Sequence, residues 1–266
     1  MSATPQVTPA QVEAKWLEMA PLIDRVTERI ATRSEFPVMP GSSLAGDDSA
    51  SSPYQVSHVV RASMTAGVDH LHALKVLVRD ARVLHNLAPF SLARGALENL
   101  SLAYWVLHPA QRDVRVERAL RWWAQNYKDG ERACAPRGIA NSAAEPKLLK
   151  LEAVAQQRPG ITSRIRNGHT STDAVAYTQT HAKQARSVQF AWQLCSGFAH
   201  GRAWARLGAS DRELDTTSEP GVVLLKLTAS ETNVAYVAVE ALHLLADVLR
   251  TYDLRSGAHL AEPFTG

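Results

Sequence analysis

One stretch, Phe90 to His108 (FSLARGALENLSLAYWVLH), limits the possible folds more than any other. Apolar or small side chains lie on nearly every side of it: Leu92, Ala93, Ala96, Leu97, Leu100, Leu102, Ala103, Tyr104, Val106 and Leu107. A helix that is apolar all round belongs in the middle of a bundle, because a surface helix carries a single apolar stripe. Yet Arg94, Glu98 and Ser101 fall on one line at i, i+4, i+7 spacing, and Trp105 and His108 extend that line. On a surface, an Arg94–Glu98 pair contributes only ~0.3–0.5 kcal/mol. In a central helix the same charges must be paired or hydrogen-bonded, since burying a lone charge costs several kcal/mol. This face therefore lines a cavity or meets polar partners from another element.

Gln189 to Arg202 (QFAWQLCSGFAHGR) can supply those partners. Phe190, Trp192, Leu194 and Phe198 suit packing, while Gln189, Gln193, Ser196 and His200 run along one helical face. Gly197, Ala199 and Gly201 are small enough for a neighbouring backbone to come close. Arg94, Glu98, Ser196 and His200 are expected to meet. Such a set serves either as a brace between two core helices or as a functional site, since buried charges mark function only part of the time.

The surrounding pattern is helical. Thr8-Pro9 opens a first helix, Thr as cap and Pro at the first helical position, with apolar residues recurring from Trp16 to Ile30. Residues 1–34 read as an N-terminal arm that can pack on a partner chain. Residues 35–53, rich in Pro, Gly, Ser and Asp, read as a flexible linker. Tyr54 to Leu87 keeps helical spacing up to Pro89. A charge-dense helix from about Ala110 shows Asp113, Glu117, Arg118 and Arg121 as a salt-bridged outer face, with Leu120, Trp123 and Tyr127 inward. Breaks at Ala135–Ala144 and Ser163–Thr172 flank a short helix. Val222 to Leu227 is β-branched and apolar after a turn-rich loop, which predicts one small hairpin near 203–228. Thr228 and Glu231 are spaced as a capping box for a final helix. The expected fold is mainly all-α: a multi-helix bundle over residues 54–257 with one small β-hairpin, and a loose tail at 258–266.

At 266 residues the chain can bury one large core or two small ones. It has no uninterrupted run of about 18 apolar residues, and its N-terminus lacks the basic and apolar regions of a secretory signal, so no membrane association is expected. Cys134 and Cys195 make no disulfide framework, and a reducing cytoplasm is the simplest setting. The net charge of +3 is unevenly spread. Arg158 to Arg206 holds seven Lys/Arg against one acid, Asp173, a balance of 7 − 1 = +6. A basic segment around Ser196 and His200 can attract phosphates or nucleic acid, or can be a solvated face.

No catalytic or metal motif is complete. His70 and His72 are i, i+2 and face apart on a helix, neither Cys has a C-x-x-C partner, and no phosphate-binding glycine loop or nucleophile elbow occurs. No metal and no cofactor is expected. An acid–base set fits better: histidine is the side chain suited to proton transfer near neutral pH, Glu98 can orient His200, and Arg94 can hold a phosphate bidentately. Ser196 completes that set. Arg202, Gln193, Trp105 and Trp192 are candidate ligand contacts, and Trp122-Trp123 offers either a stacking surface or, for one of the two, a core side chain.

The ARGALENLSLAYWVLHP helix, the RxxRAL segment at Arg115–Leu120 and the SGFAHGR helix together resemble the HEPN superfamily (higher eukaryote and prokaryote nucleotide-binding) over roughly Tyr54 to Arg206. The resemblance implies a four- or five-helix bundle, often a homodimer. Many members are metal-independent ribonucleases or nucleotide-binding proteins of a defence or toxin type. The family's signature is Arg, four to six residues, then His. The positions that should hold that Arg before His200 are Gln193, Leu194 and Cys195. Arg79 with His85 and Arg164 with His169 fit the spacing, and Arg94 can replace the missing Arg from another helix. RNA or a nucleotide is the implied partner. The alternatives are a helical interaction or scaffold protein whose Arg/Glu/Ser/His network is structural, and a small-molecule enzyme with an apolar pocket beside Trp105 and Trp192.

Overall fold

The core of the bundle is arranged around α4 (Ala88–Leu107), which packs against α3, α5, α7, α8 and α10. The structure, a computed structural model, describes residues 7–32, 36–139, 143–161, 164–217 and 219–259. The helix starts two residues earlier than the periodicity suggests. Pro89 sits in its first turn, where a missing N–H costs nothing, so it opens this helix rather than ending the preceding one. Phe90, Ala93, Leu97, Leu100, Ala103, Val106 and Leu107 are all fully buried, as an all-round apolar helix requires.

α3 (Val56–Lys75) lies closest to it. Gly67 permits this: a Cβ there would stand 2.7 Å from Leu100 Cγ. Gly95 likewise faces the His70 ring, 2.6 Å from a Cβ position. α7 (Ser171–His181), α8 (Val188–Ala199) and α10 (Glu231–Ser256) close the remaining sides, with α5 (Arg112–Cys134) crossing the C-terminal end and α6 (Glu145–Gln156) outside it. The fold is thus a mainly α-helical bundle with a single small antiparallel hairpin, β1 (Ser210–Thr216) and β2 (Val223–Ala229), among the described residues. The hairpin begins later than 203, because α9 (Ala203–Ala209) precedes it. Asn86 anchors its base: the amide donates to Leu227 O at 3.2 Å, and its oxygen accepts from Ala229 N at 3.1 Å.

Two expectations about the N-terminal region change. α1 (Pro9–Ala31) opens with a capping box, Thr8 and Gln11 satisfying each other's backbone N–H. It is not a free arm. Trp16, Met19, Ile23 and Val26 bury its inner face against α3 and α10 of the same chain. The stretch read as a linker contains α2 (Ser43–Ser51), capped by Ser42. What holds it is Asp47, fully buried, whose carboxylate accepts from Arg115 Nε at 2.6 Å and Nη2 at 2.7 Å and from Arg112 Nε at 3.1 Å. Arg115 also donates to Pro109 O at 2.7 Å and Ala110 O at 2.8 Å. A buried charge pair this fully hydrogen-bonded fixes geometry, and composition alone does not reveal it.

Other differences are local. α3 does not run to Leu87 but ends in a π turn, Val76–Asp80. The Thr228/Glu231 capping box does not form, since Thr228 is in β2 and Ser230 is the cap residue of α10. Arg118 turns inward instead of joining an outer salt-bridged face, and Asp113 pairs with Arg158 instead. Of the tail, Ala258 is buried and residues 260–266 lie outside the described residues, as do parts of both expected breaks.

α10 is the one helix among the described residues long and apolar enough to cross a membrane by length and composition, and 72% of that window is buried in the bundle. Its two buried carboxylates have a task. Asp247 Oδ2 accepts the backbone N–H groups of Lys183, Gln184 and Ala185, and Glu240 Oε2 accepts that of Ser187. Together they pin the connection from α7 to α8, and so set where α8 begins.

Candidate functional site

α8 is held against α4 by a ring stack. Phe90 and Phe198 lie face to face, 3.8 Å between centroids and 6° between planes. This fixes the register that brings the far end of α8 to the first turns of α4. There, Arg94 Nη1 stands 3.1 Å from His200 Nε2, across 106 residues of sequence. Arg94 Nε donates to Glu98 Oε1 at 2.9 Å, and the Trp192 indole N–H donates to the same oxygen at 2.8 Å. The sequence expectation that α4 and α8 share a polar constellation therefore holds in space for Arg94, Glu98 and His200. A guanidinium only donates, so His200 Nε2 must accept from Arg94 and the ring proton sits on Nδ1.

The local backbone explains why His200 is open to solvent. α8 ends at His200, and Gly201 takes φ +63°. Gly201 N donates to Phe198 O at 3.0 Å and Arg202 N to Gly197 O at 2.7 Å, the two bonds of a Schellman motif. The reversal folds α9 back onto α8. Gly197 makes room for it: a Cβ there would stand 2.6 Å from Ala205 Cβ and 2.9 Å from the Trp204 ring. A cleft of about 280 Å³ results, lined by Trp192, Gln193, Ser196, Gly197, His200, Arg202 and Trp204.

Gln193, Ser196, Arg202 and Trp192 thus line one cleft together with His200. The Ser196 hydroxyl is not hydrogen-bonded among the described residues: it lines the cleft beside His200 but does not join the Arg94–Glu98–His200 contacts as expected. Trp204, missed in the sequence, is 54% exposed and forms one wall. Its signal was present: a Trp four residues past His200, with a helix-ending Gly between them. Arg202 and Arg206 are exposed around the same reversal, whereas Arg158 and Arg166 of the basic segment are neutralised by Asp113 and by Glu145 and Glu152. Cys195 is packed beneath, and burial pushes its thiol far above the usual thiol range.

Trp105 does not belong to this cleft. It shares the helical line of Arg94, but 11 residues at about 1.5 Å each put it roughly 16 Å along the axis. It is 4% exposed, with the Arg118 guanidinium 4.7 Å from its ring and the His169 ring 5.9 Å away. This far end of the stripe is a second polar cluster. Arg118 lies 4.1 Å over the Tyr177 ring, the Tyr177 hydroxyl is 2.9 Å from His108 Nδ1, and His181 stacks on Tyr177 at 4.0 Å. Burial first, then the nearby charges of His181, Arg255, Arg118 and Lys183, hold His108 below the ordinary imidazole range. Burial and Arg121 do the same to His169.

Comparison with protein-family models, curated proteins and solved structures gives no match. Function therefore rests on the site itself. The alternative Arg–His spacings do not converge: Arg79 is clamped by Glu13 at 2.5 and 2.7 Å, and Arg164 is exposed while His169 is packed on Trp105. The Trp122 and Trp123 rings meet edge-on at 5.0 Å, with Trp123 turned toward Tyr54 and Tyr127, so this pair is packing rather than a stacking surface. Among the described residues no three His, Cys, Asp or Glu side chains group as metal ligands.

Proposed function

We propose that the α8–α9 cleft binds single-stranded RNA or a nucleotide-like anion, in the manner of the HEPN proteins that the sequence resembles. The observation that carries this is the Arg94–His200 contact at 3.1 Å on the rim of an open cleft whose walls include Trp192, Trp204 and Arg202. Guanidinium groups hold phosphate by paired, charge-assisted hydrogen bonds. Exposed indoles accept bases of any sequence by stacking, worth about 1–3 kcal/mol per base. Glu98 orients Arg94 through Nε, which leaves Nη1 directed at His200.

Cleavage without a metal is the chemistry this set suits. A phosphate that draws the Arg94 guanidinium to itself frees His200 Nε2, the ring nitrogen without a proton, to take one from a ribose 2′-hydroxyl while that oxygen attacks phosphorus. His200 then returns that proton to the departing 5′-oxygen, which leaves a 2′,3′-cyclic phosphate, and Arg94 offsets the charge on the phosphoryl oxygens. The homodimer typical of the resemblance is part of the same proposal.

A structural role competes with it, favoured by one observation: Glu98 Oε1 is fully engaged by Arg94 and Trp192, as in a brace between helices. The two are separated by labelled RNA incubated with EDTA and by thermal melting, for the wild type, Arg94→Ala and His200→Ala. Cutting by wild type, lost in variants that still fold, supports the site. No cutting, with both variants melting far lower, supports the brace.

A further inference from the structure

A second cleft lies where the end of α3 meets the N-terminal halves of α1 and α10. α3 leaves its regular path in the π turn Val76–Asp80, with Ala81 N bonded to Val76 O at 2.9 Å and Val83 N to Leu77 O at 3.0 Å. The turn is completed by Arg82 at φ +55°, the one non-glycine residue with positive φ among those described. Glycine ends helices this way at no steric cost, whereas a side chain here strains the backbone. Strain retained at one position points to a use for the side chain that bears it.

Arg82 stands at a cleft of about 320 Å³, near the small end of ligand-binding clefts. Val12, Val78 and Leu84 provide apolar wall. Of the charged residues lining it, Arg79 and Glu13 satisfy each other bidentately, and the Arg79 hydrogen bonds hold the Glu13 carboxyl below the usual carboxylate range. That leaves two exposed groups of opposite sign without a hydrogen-bonded partner among the described residues: the Arg82 guanidinium, which acts on Glu13 only at longer range, and the Glu231 carboxylate, which acts in the same way on Arg79. A ligand of single charge would satisfy one and face the other unmatched.

We propose that this cleft binds a free α-amino acid, its carboxylate on Arg82, its ammonium on Glu231 and its side chain against Val12, Val78 and Leu84. The site is separate from the α8–α9 cleft and does not depend on the function assigned there.

The test is a thermal-shift screen of the full-length protein against the twenty L-amino acids, followed by calorimetry. Any binder is compared with its decarboxylated amine and its deaminated acid. The expected result is saturable binding of at least one amino acid, and binding about tenfold weaker or less for both single-charge analogues. Arg82→Gly should melt at or above the wild-type temperature, because it relieves the positive φ, yet bind about tenfold more weakly. Glu231→Gln should also weaken binding while staying folded. The proposal is overturned if none of the twenty binds, if a single-charge analogue binds as well as the amino acid, or if Arg82→Gly keeps wild-type affinity.

Discussion

His108 and His169 sit at opposite edges of one aromatic cluster, and both are held below the ordinary imidazole value of 6.5, chiefly by burial. The folded protein therefore keeps them neutral where the unfolded chain protonates them. Their contribution is complete above that ordinary value and is lost as pH falls below it, down to the depressed folded values. The melting temperature should drop between about pH 7.5 and pH 5.5, before the carboxylates titrate. His108→Gln and His169→Gln should each flatten that drop; a pH-independent melting temperature would refute the assignment. Neither role was legible in the sequence. His108 read as the end of a polar line, and His169 as part of a loop, because nothing in their spacing announces that Tyr177, Arg118 and Trp105 will converge on them. Arg94 and Glu98 were legible, since two charges one turn apart on an all-apolar helix require partners. Trp105 was placed on the correct helical face but at the wrong depth, because periodicity gives an angle and says nothing of which neighbour meets which turn.

At the scale of elements, two contacts decide the packing. Gly67 lets α3 touch α4, and a methyl group there meets Leu100 within 2.7 Å. Gly67→Ala should destabilise the fold by about 1–3 kcal/mol through overpacking, read as a lower urea midpoint with an unchanged slope. α2 depends on Asp47, whose carboxylate is matched by Arg115 inside the protein. Asp47→Asn leaves that guanidinium buried without its counter-charge and should cost about 3–5 kcal/mol. A midpoint within error of wild type would show that α2 is not held this way. α2 also shows why the sequence misled. Ser, Gly and Asp are poor helix formers by propensity, yet one buried ion pair and the Ser42 cap override that preference. The hairpin was legible from its β-branched run, whereas the expected cap at Thr228 failed because the strand claims that residue first.

On the scale of the whole molecule, the polar stripe of α4 runs through the bundle and opens to solvent at one end. One end is packed under Trp105 by α5 and α7; the other opens at His200, where the glycine turn folds α9 away from the helix axis. The basic excess of the Arg158–Arg206 segment resolves in three dimensions into local ion pairs at Arg158 and Arg166 and exposed groups, of which Arg202 and Arg206 lie at that opening. A nucleic-acid ligand is thus expected at the α8–α9 reversal and not along the segment as a whole. The most direct check is a titration of fluorescently labelled single-stranded RNA with wild type, Arg94→Ala and Trp204→Ala, in EDTA and at two salt concentrations. The account predicts salt-sensitive binding by wild type and a loss of about tenfold or more in each variant, at melting temperatures close to wild type. Absence of binding, or equal binding by all three proteins, would contradict it.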